Sequence, residues 1–124
     1  MENSFLVITV HDGFVHVELQ RDFCITLESM RGMWRDVLPT CEQHNCRRVL
    51  VEGEQPTRSM RKLDAFEHGR IVADLYLRGL RVAFCLYGYE PDHLSHLFTM
   101  VANGSFNSAR FFDDPEKALK WLRG

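Results

Sequence analysis

The sequence lacks both a marked excess of charge of one sign and any long hydrophobic run. Its 15 Lys and Arg against 17 Asp and Glu leave a net charge of −2, so no general attraction to nucleic acid or to an anionic membrane is expected. The longest apolar runs, such as residues 5–10, are too short to span a bilayer, and MENSFLVITV has none of the early basic residues of a signal peptide. We therefore predict a cytoplasmic protein with no nucleic-acid partner and no integral membrane association.

The common catalytic and nucleotide-binding motifs are also missing. There is no G-x-S-x-G elbow, no P-loop and no G-x-G-x-x-G, which makes an enzyme the less expected class. Cys41, His44 and Cys46 have a C-x2-H-x-C spacing without the second ligand pair that structural zinc needs. We predict no metal and no cofactor, and we interpret Cys24 and Cys85 as small, reduced core residues.

The first half of the chain reads as a β-hairpin followed by a helix. Residues 5–10 and 14–19 are extended patterns on either side of an Asp-Gly turn. Apolar residues then recur at three- and four-residue spacing from Leu27 to Cys41, with Thr26 as the N-cap. Pro39 falls inside this pattern, so we expect a kink or an early end there.

The second half alternates strands and helices. We predict a buried strand at 48–51, a loop at 52–57, and a helix over 59–78 with Met60, Leu63 and Phe66 on one face. Gly79 ends this helix, and residues 80–87 form an almost wholly apolar central strand.

Capping signals define the remaining elements. Pro91 opens a helix that ends at Asn103-Gly104, residues 108–112 form a strand, and Asp114-Pro115 starts the last helix. The order ββαβαβαβα predicts one α/β domain over residues 1–124. Its mostly parallel, mixed five-stranded sheet would carry an N-terminal antiparallel hairpin.

Three stretches of the chain resemble the SpoIIAA-like branch of STAS domains, also called STAS/Sec14-like. They are GLRVAFCLY, LFTMVANGSFNSARFF and DDPEKALKWL. The resemblance implies a small bacterial domain that acts as a non-enzymatic regulatory or binding module. It also implies a protein partner or small ligand, and serine phosphorylation as a switch in the anti-sigma-factor antagonists of the family.

The chain departs from the antagonist pattern after its third strand. The family's Asp-Ser pair is missing from EGEQPTRSM, which offers Thr57 and Ser59 as phosphoacceptors. The alternative for both residues is that they cap the following helix. A homodimer is the default expectation, because two-fold dimers are the commonest closed assembly.

The candidate site lies at the carboxyl ends of the parallel strands, where open α/β sheets bind their ligands. The predicted ligand- or partner-binding residues are Glu52, Gly53, Glu54, Thr57, Arg58, Ser59, Arg61, Tyr87 and Tyr89. Cations near the start of a helix would be relieved by a bound anion. The alternative, which we favour, is a solvated basic face.

A second hypothesis is a carrier or sensor of a small apolar or lipid-like ligand. Its pocket would lie between the sheet and the helices and would use Trp34, Phe66 and Tyr87.

Overall fold

The computed structural model describes residues 6–21, 23–54, 57–87, 92–103 and 109–124. Strands and helices alternate through these residues. In chain order they are β1 (Leu6–His11), β2 (Phe14–Leu19), β3 (Cys24–Ile25), α1 (Leu27–Gln43), β4 (Arg48–Glu54), β5 (Thr57–Arg58), α2 (Lys62–Leu77), β6 (Arg81–Tyr87), α3 (His93–Asn103), β7 (Ala109–Phe112) and α4 (Pro115–Arg123).

The main sheet contains five strands in the order β1-β2-β4-β6-β7. β1 pairs antiparallel with β2 across a turn in which Gly13 has φ +89°, a conformation that glycine adopts without steric cost. The pairs β2–β4, β4–β6 and β6–β7 are all parallel. This confirms the predicted α/β class and the mixed sheet with an N-terminal antiparallel hairpin.

Helices cover the two faces of the sheet unequally. One large core joins α1, α2 and α3 to the inward side chains of all five strands. On the other face, among the described residues, α4 alone packs against the sheet, through Ala118 and Leu122 on Leu50, Ala83 and Cys85. A nine-residue helix cannot cover five strands, so the described helices leave part of this second face open.

The segment 52–57, predicted as a loop, is partly strand. β4 continues to Glu54, and β5 pairs in parallel with β3 to form a second, two-stranded sheet. The prediction failed because a strand of two residues leaves too short a pattern to detect. In β3 the side chain of Ile25 points inward and that of Cys24 is exposed, so the prediction of Cys24 as a core residue was wrong.

Helix α1 begins at the predicted N-cap, and it extends beyond Pro39, where an early end was one of the two predicted outcomes. Thr26 caps it, since the Ser29 N–H donates to Thr26 Oγ1 at 2.9 Å and the Thr26 N–H donates to Ser29 Oγ at 2.8 Å. The helix does not end at Pro39 but continues to Gln43. Pro39 is exposed, so water can satisfy the carbonyl that loses its helical partner.

The buried face of α2 differs from the predicted one. Leu63 and Phe66 are 69% and 41% exposed, and the buried side is formed by Ala65, His68, Gly69, Val72 and Leu75. A Cβ at Gly69 would lie 2.8 Å from Val101 Cβ and 2.9 Å from the Phe98 carbonyl oxygen. At Gly69, therefore, α2 and α3 approach so closely that a residue without a side chain is needed.

The helix ends follow the predicted capping residues where they are described. Gly79, at φ +92°, follows the last turn of α2, and the Asp114 side chain accepts a hydrogen bond from the Glu116 N–H at 3.0 Å. The predicted boundaries at Pro91, Gly104 and residue 108 lie outside the described residues.

Candidate functional site

The open part of the α4-covered face lies over β2 and the carboxyl ends of β4 and β6. Side chains alternate along each strand, so His16 and Glu18 of β2, Glu52 and Glu54 of β4 and Tyr87 of β6 share this face. Helix α4 reaches β2 at its beginning, where the Arg123 guanidinium lies 5.9 Å from the Phe14 ring centre. The parallel register brings the ends of these three strands to one edge of the sheet.

A hydrogen-bonded chain crosses three strands at this edge. His16 Nε2 lies 2.7 Å from Glu52 Oε1, and the Tyr87 hydroxyl donates to Glu52 Oε2. Each carboxylate oxygen of Glu52 therefore has a fixed partner on a neighbouring strand. This arrangement orients the carboxylate and restricts its rotamers.

Burial raises the pKa of the Tyr87 hydroxyl, and the hydrogen bond to Glu52 and the nearby Cys85 raise it further. The Cys85 thiol also has a raised pKa, first because it is buried and then because Glu52 lies near it. Tyr87 thus remains a protonated donor, which keeps its bond to Glu52.

These residues line a cleft of about 430 Å³. Its lining residues are His16, Glu18, Leu19, Gln20, Arg21, Glu52, Gly53, Glu54 and Tyr87. Three of them are glutamates and one is an arginine, so the cleft carries an excess of negative charge. Such a surface attracts an ammonium or guanidinium group more than an anion.

The structure brings together four of the predicted site residues. Glu52, Glu54 and Tyr87 contribute side chains to the cleft, and Gly53 contributes backbone. Gly53 sits beside Leu19 on the helix-covered side, where an added Cβ would approach Leu19 Cβ to 3.0 Å.

The other predicted site residues that the structure describes do not line the cleft. Thr57 and Ser59 are exposed ahead of α2 and do not cap it, because the helix begins at Lys62 with Arg61 as its N-cap residue. The interpretation of Thr57 and Ser59 as caps was therefore wrong. Ser59 instead donates its backbone N–H to the Ile25 carbonyl at 2.9 Å, beside the β3–β5 pair. Tyr89 lies outside the described residues.

Two of the predicted anion-binding cations are in ion pairs. The Arg58 guanidinium binds the Asp92 carboxylate through two hydrogen bonds, which hold the pKa of Asp92 well below its usual range. Asp92 Oδ1 also accepts from the backbone N–H of Leu94 and of Ser95, both at 3.1 Å, at the start of α3. Arg61 pairs with Asp64 at 3.3 Å in the first turn of α2. Arg58 thus ties β5 to α3.

Sequence reasoning missed the contribution of β2 to the cleft. The alternation of His16 and Glu18 with Val15 and Val17 in the sequence indicates only a more polar face of the hairpin. Two polar side chains on one face of a strand that has a parallel neighbour were the available indication of a shared site. Which strand lies beside β2 is a tertiary fact, and no local pattern in this chain encodes it.

The helix-covered face contains a much smaller cavity, of about 40 Å³, with a mainly apolar lining. His68, Ser95 and Arg58 contribute its polar groups. Trp34, Phe66 and Tyr87, predicted to share an apolar pocket, are not brought together. Trp34 is buried on this side, Phe66 is exposed and Tyr87 lies on the opposite face of the sheet.

Neither the protein-family models nor the curated proteins contain a match to this chain. Among the described residues, no three His, Cys, Asp or Glu side chains are grouped so that they could hold a metal ion. The helices in that part of the chain are all too short or too polar to cross a bilayer. The fold and the site together define an α/β protein with a mixed sheet and an acidic cleft at its carboxyl edge.

Proposed function

We propose that this chain is a non-enzymatic binding module of the SpoIIAA/STAS-like type that holds a basic group of a protein partner in the carboxyl-edge cleft. The order of elements and the mixed five-stranded sheet support the family assignment. The observation that carries the binding proposal is Glu52, oriented by His16 and Tyr87 between two further carboxylates, Glu18 and Glu54.

Charge favours a cationic occupant over the anionic one that the sequence suggested. Glu18 and Glu54 are exposed at the cleft, and Arg21 is its one cationic lining residue among those described. Arg58 and Arg61, the residues expected to hold an anion, each bind a carboxylate of this chain. An anion at that position would have to displace Asp92 or Asp64 before it could pair.

The geometry of Glu52 suits a planar or tetrahedral cation. Each oxygen of a carboxylate has two lone pairs, and His16 and Tyr87 occupy one on each oxygen. The remaining acceptor capacity is directed by those bonds and is available to an arginine or lysine side chain. Because these partners already restrict Glu52, the entropy lost on binding is reduced.

The proposal is tested by following backbone amide shifts of ¹⁵N-labelled protein during titration with N-acetyl-arginine amide. Shifts are expected at residues 19–21 and 52–54. The Glu18→Gln/Glu54→Gln double variant should bind about 2- to 10-fold more weakly, as the loss of two exposed charge interactions implies. Glu42→Gln, an exposed glutamate on α1, is the matched control and should bind as the wild type does.

Two results would contradict the proposal. One is the absence of shifts in the cleft, or shifts that the double variant leaves unchanged. The other is a response at residues 57–62 to inorganic phosphate, which would favour the anionic ligand instead.

Regulation by phosphorylation remains a prediction from the resemblance. Thr57 and Ser59 are exposed and follow the cleft strand β4 closely in the chain, so both are accessible to a kinase. A phosphoryl group there would add nearly two negative charges near Arg58 and Arg61 and compete for their present partners. The intact mass of protein purified from growing cells would show such a group.

The apolar-ligand alternative has little structural support. The cavity on the helix-covered face has a volume of about 40 Å³, whereas pockets for drug-sized ligands have volumes of roughly 300–1,000 Å³. It has room for a water molecule but not for an acyl chain. We therefore put forward no second function.

A further inference from the structure

Strand β1 leaves a row of backbone groups without a strand partner. It pairs with β2 through all six residues without a bulge, and the two-residue turn makes His11 and Phe14 a hydrogen-bonded pair. Because such pairs alternate, residues 7, 9 and 11 bond to β2 and residues 6, 8 and 10 point their N–H and C=O outward. No other strand in the described part of the chain pairs with that edge.

The two edges of the sheet are built differently. Natural edge strands are blocked by shortness, charge, proline or a bulge. β7 is only four residues long and carries the exposed Arg110. β1 has the sequence LVITVH, which contains no lysine, arginine, acid or proline, and its Val7 and Val10 are each 42% exposed. The β1 edge therefore has the features of a strand that receives a partner.

We infer that β1 pairs antiparallel with β1 of a second copy of this chain, so that two five-stranded sheets join across a two-fold axis perpendicular to the sheet. An antiparallel strand pair of identical sequence is self-complementary, as an isologous interface requires. Opposed residues must share a face, and only the register with Ile8 opposite Ile8 of the partner subunit pairs all three outward-pointing residues, 6, 8 and 10. Leu6 then faces Val10 of the partner subunit.

The side chains of β1 fit this arrangement on both faces. On the helix-covered face the pairs are all aliphatic, and on the open face Val7 faces Thr9 of the partner subunit. No charged side chain opposes another, because β1 has none apart from the titratable His11 at its end. A partner of other sequence is not needed to explain the edge, since the strand complements itself.

The inference is independent of the proposed function. The cleft is lined by residues of β2, β4 and β6 and by none of β1, and the dimer would carry one cleft on each half of a common sheet face. Loss of the dimer leaves the cleft intact, and loss of cleft charge leaves β1 unchanged. The two can therefore fail separately.

The test is native mass spectrometry and light scattering of the full chain over a dilution series. The wild type is expected at twice the protomer mass of 14.5 kDa, with protomer at high dilution. Val10→Lys places two ammonium groups in the interface and should raise the dissociation constant about tenfold or more. Leu77→Lys, at a 74% exposed position on α2, is the matched control and should remain dimeric.

The register is tested by cross-linking in a Cys24→Ser/Cys46→Ser background, which removes the two accessible thiols. A short bis-methanethiosulfonate linker should join Ile8→Cys into a covalent dimer, whereas it should not join Val10→Cys, which faces residue 6 of the partner subunit. A wild type that stays monomeric at all concentrations overturns the inference. So does a dimer that survives Val10→Lys or is lost equally in Leu77→Lys. Far-UV circular dichroism spectra identical to that of the wild type exclude misfolding as the cause.

Discussion

Replacing His68 should remove a large part of the acid sensitivity of this protein. His68 is 5% exposed, lies on α2 and stacks on Phe98 with ring centres 4.6 Å apart. Its Nε2 accepts the indole N–H of Trp34 at 3.2 Å, so its own proton is on Nδ1 and the ring is neutral. Protonation would break this hydrogen bond and bury a charge among aromatic rings.

The magnitude follows from the difference in pKa between the folded and unfolded chains. Burial lowers the pKa of His68 to about 3 in the folded protein, against about 6.5 in an unfolded chain. Between these values only the unfolded chain binds the proton, so the free energy of unfolding falls as the pH falls. The loss is about 2 kcal/mol from pH 7 to pH 5, and about 4 kcal/mol from pH 7 to pH 3.

The assay is urea unfolding at pH 7 and pH 5, followed by tryptophan fluorescence. His68→Gln keeps an acceptor for the Trp34 N–H but does not titrate, so its free energy of unfolding should fall by about 2 kcal/mol less than that of the wild type over this interval. His44→Gln, which replaces an exposed histidine, should behave like the wild type. An equal fall in the wild type and His68→Gln would refute the reasoning, because His68 would then be free to protonate in the folded state.

Two further predictions concern local stability. Gly69→Ala should lower the free energy of unfolding by about 1–3 kcal/mol, because the added Cβ would lie 2.8 Å from Val101 Cβ. Gly32→Ala on α1 meets no atom within 4 Å and should raise the free energy of unfolding by about 0.5–1 kcal/mol. Urea titration of both variants measures these changes, and equal effects would contradict the close contact between α2 and α3. Thr26→Ala should cost about 1 kcal/mol through loss of the α1 cap, and Thr26→Ser should recover most of that loss in the same assay. If Thr26→Ser lowered the free energy of unfolding as much as Thr26→Ala does, the side-chain hydroxyl would not be the source of the stabilisation.

Much of the fold was predictable because local signals repeat at its boundaries. The Asp-Gly turn, the Thr26 and Asp114 caps and the Gly79 stop each act within a few residues, and each is found where the sequence indicated. The predictions that failed depend instead on contacts between segments that are distant in the sequence. Leu63 and Phe66 are exposed because the side of α2 that packs is the one carrying Gly69, and the sequence of α2 alone does not specify where α3 lies.

Only the part of the candidate site that lies at the ends of consecutive parallel strands was predictable from the sequence. Residues at the ends of consecutive parallel strands meet at one edge, which is why Glu52, Glu54 and Tyr87 were found. The contribution of His16 could not be predicted, because it depends on β2 lying beside β4 and on their register. The pairing of Arg58 with Asp92, 34 residues away, could not be predicted either, because the charged residues near Arg58 in the sequence do not indicate it.

By itself the sequence determined the α/β fold class, the order of the helices and of the five main-sheet strands, and most of the residues at which they begin and end. These properties depend on backbone propensities and on capping bonds that act within one turn. Only the tertiary structure decided that α4 leaves part of a sheet face open, that three strands hold Glu52 between His16 and Tyr87, and that no described strand pairs with the outer edge of β1. Those features arise from contacts between distant segments, whose geometry is set by the packing of the whole sheet and its helices.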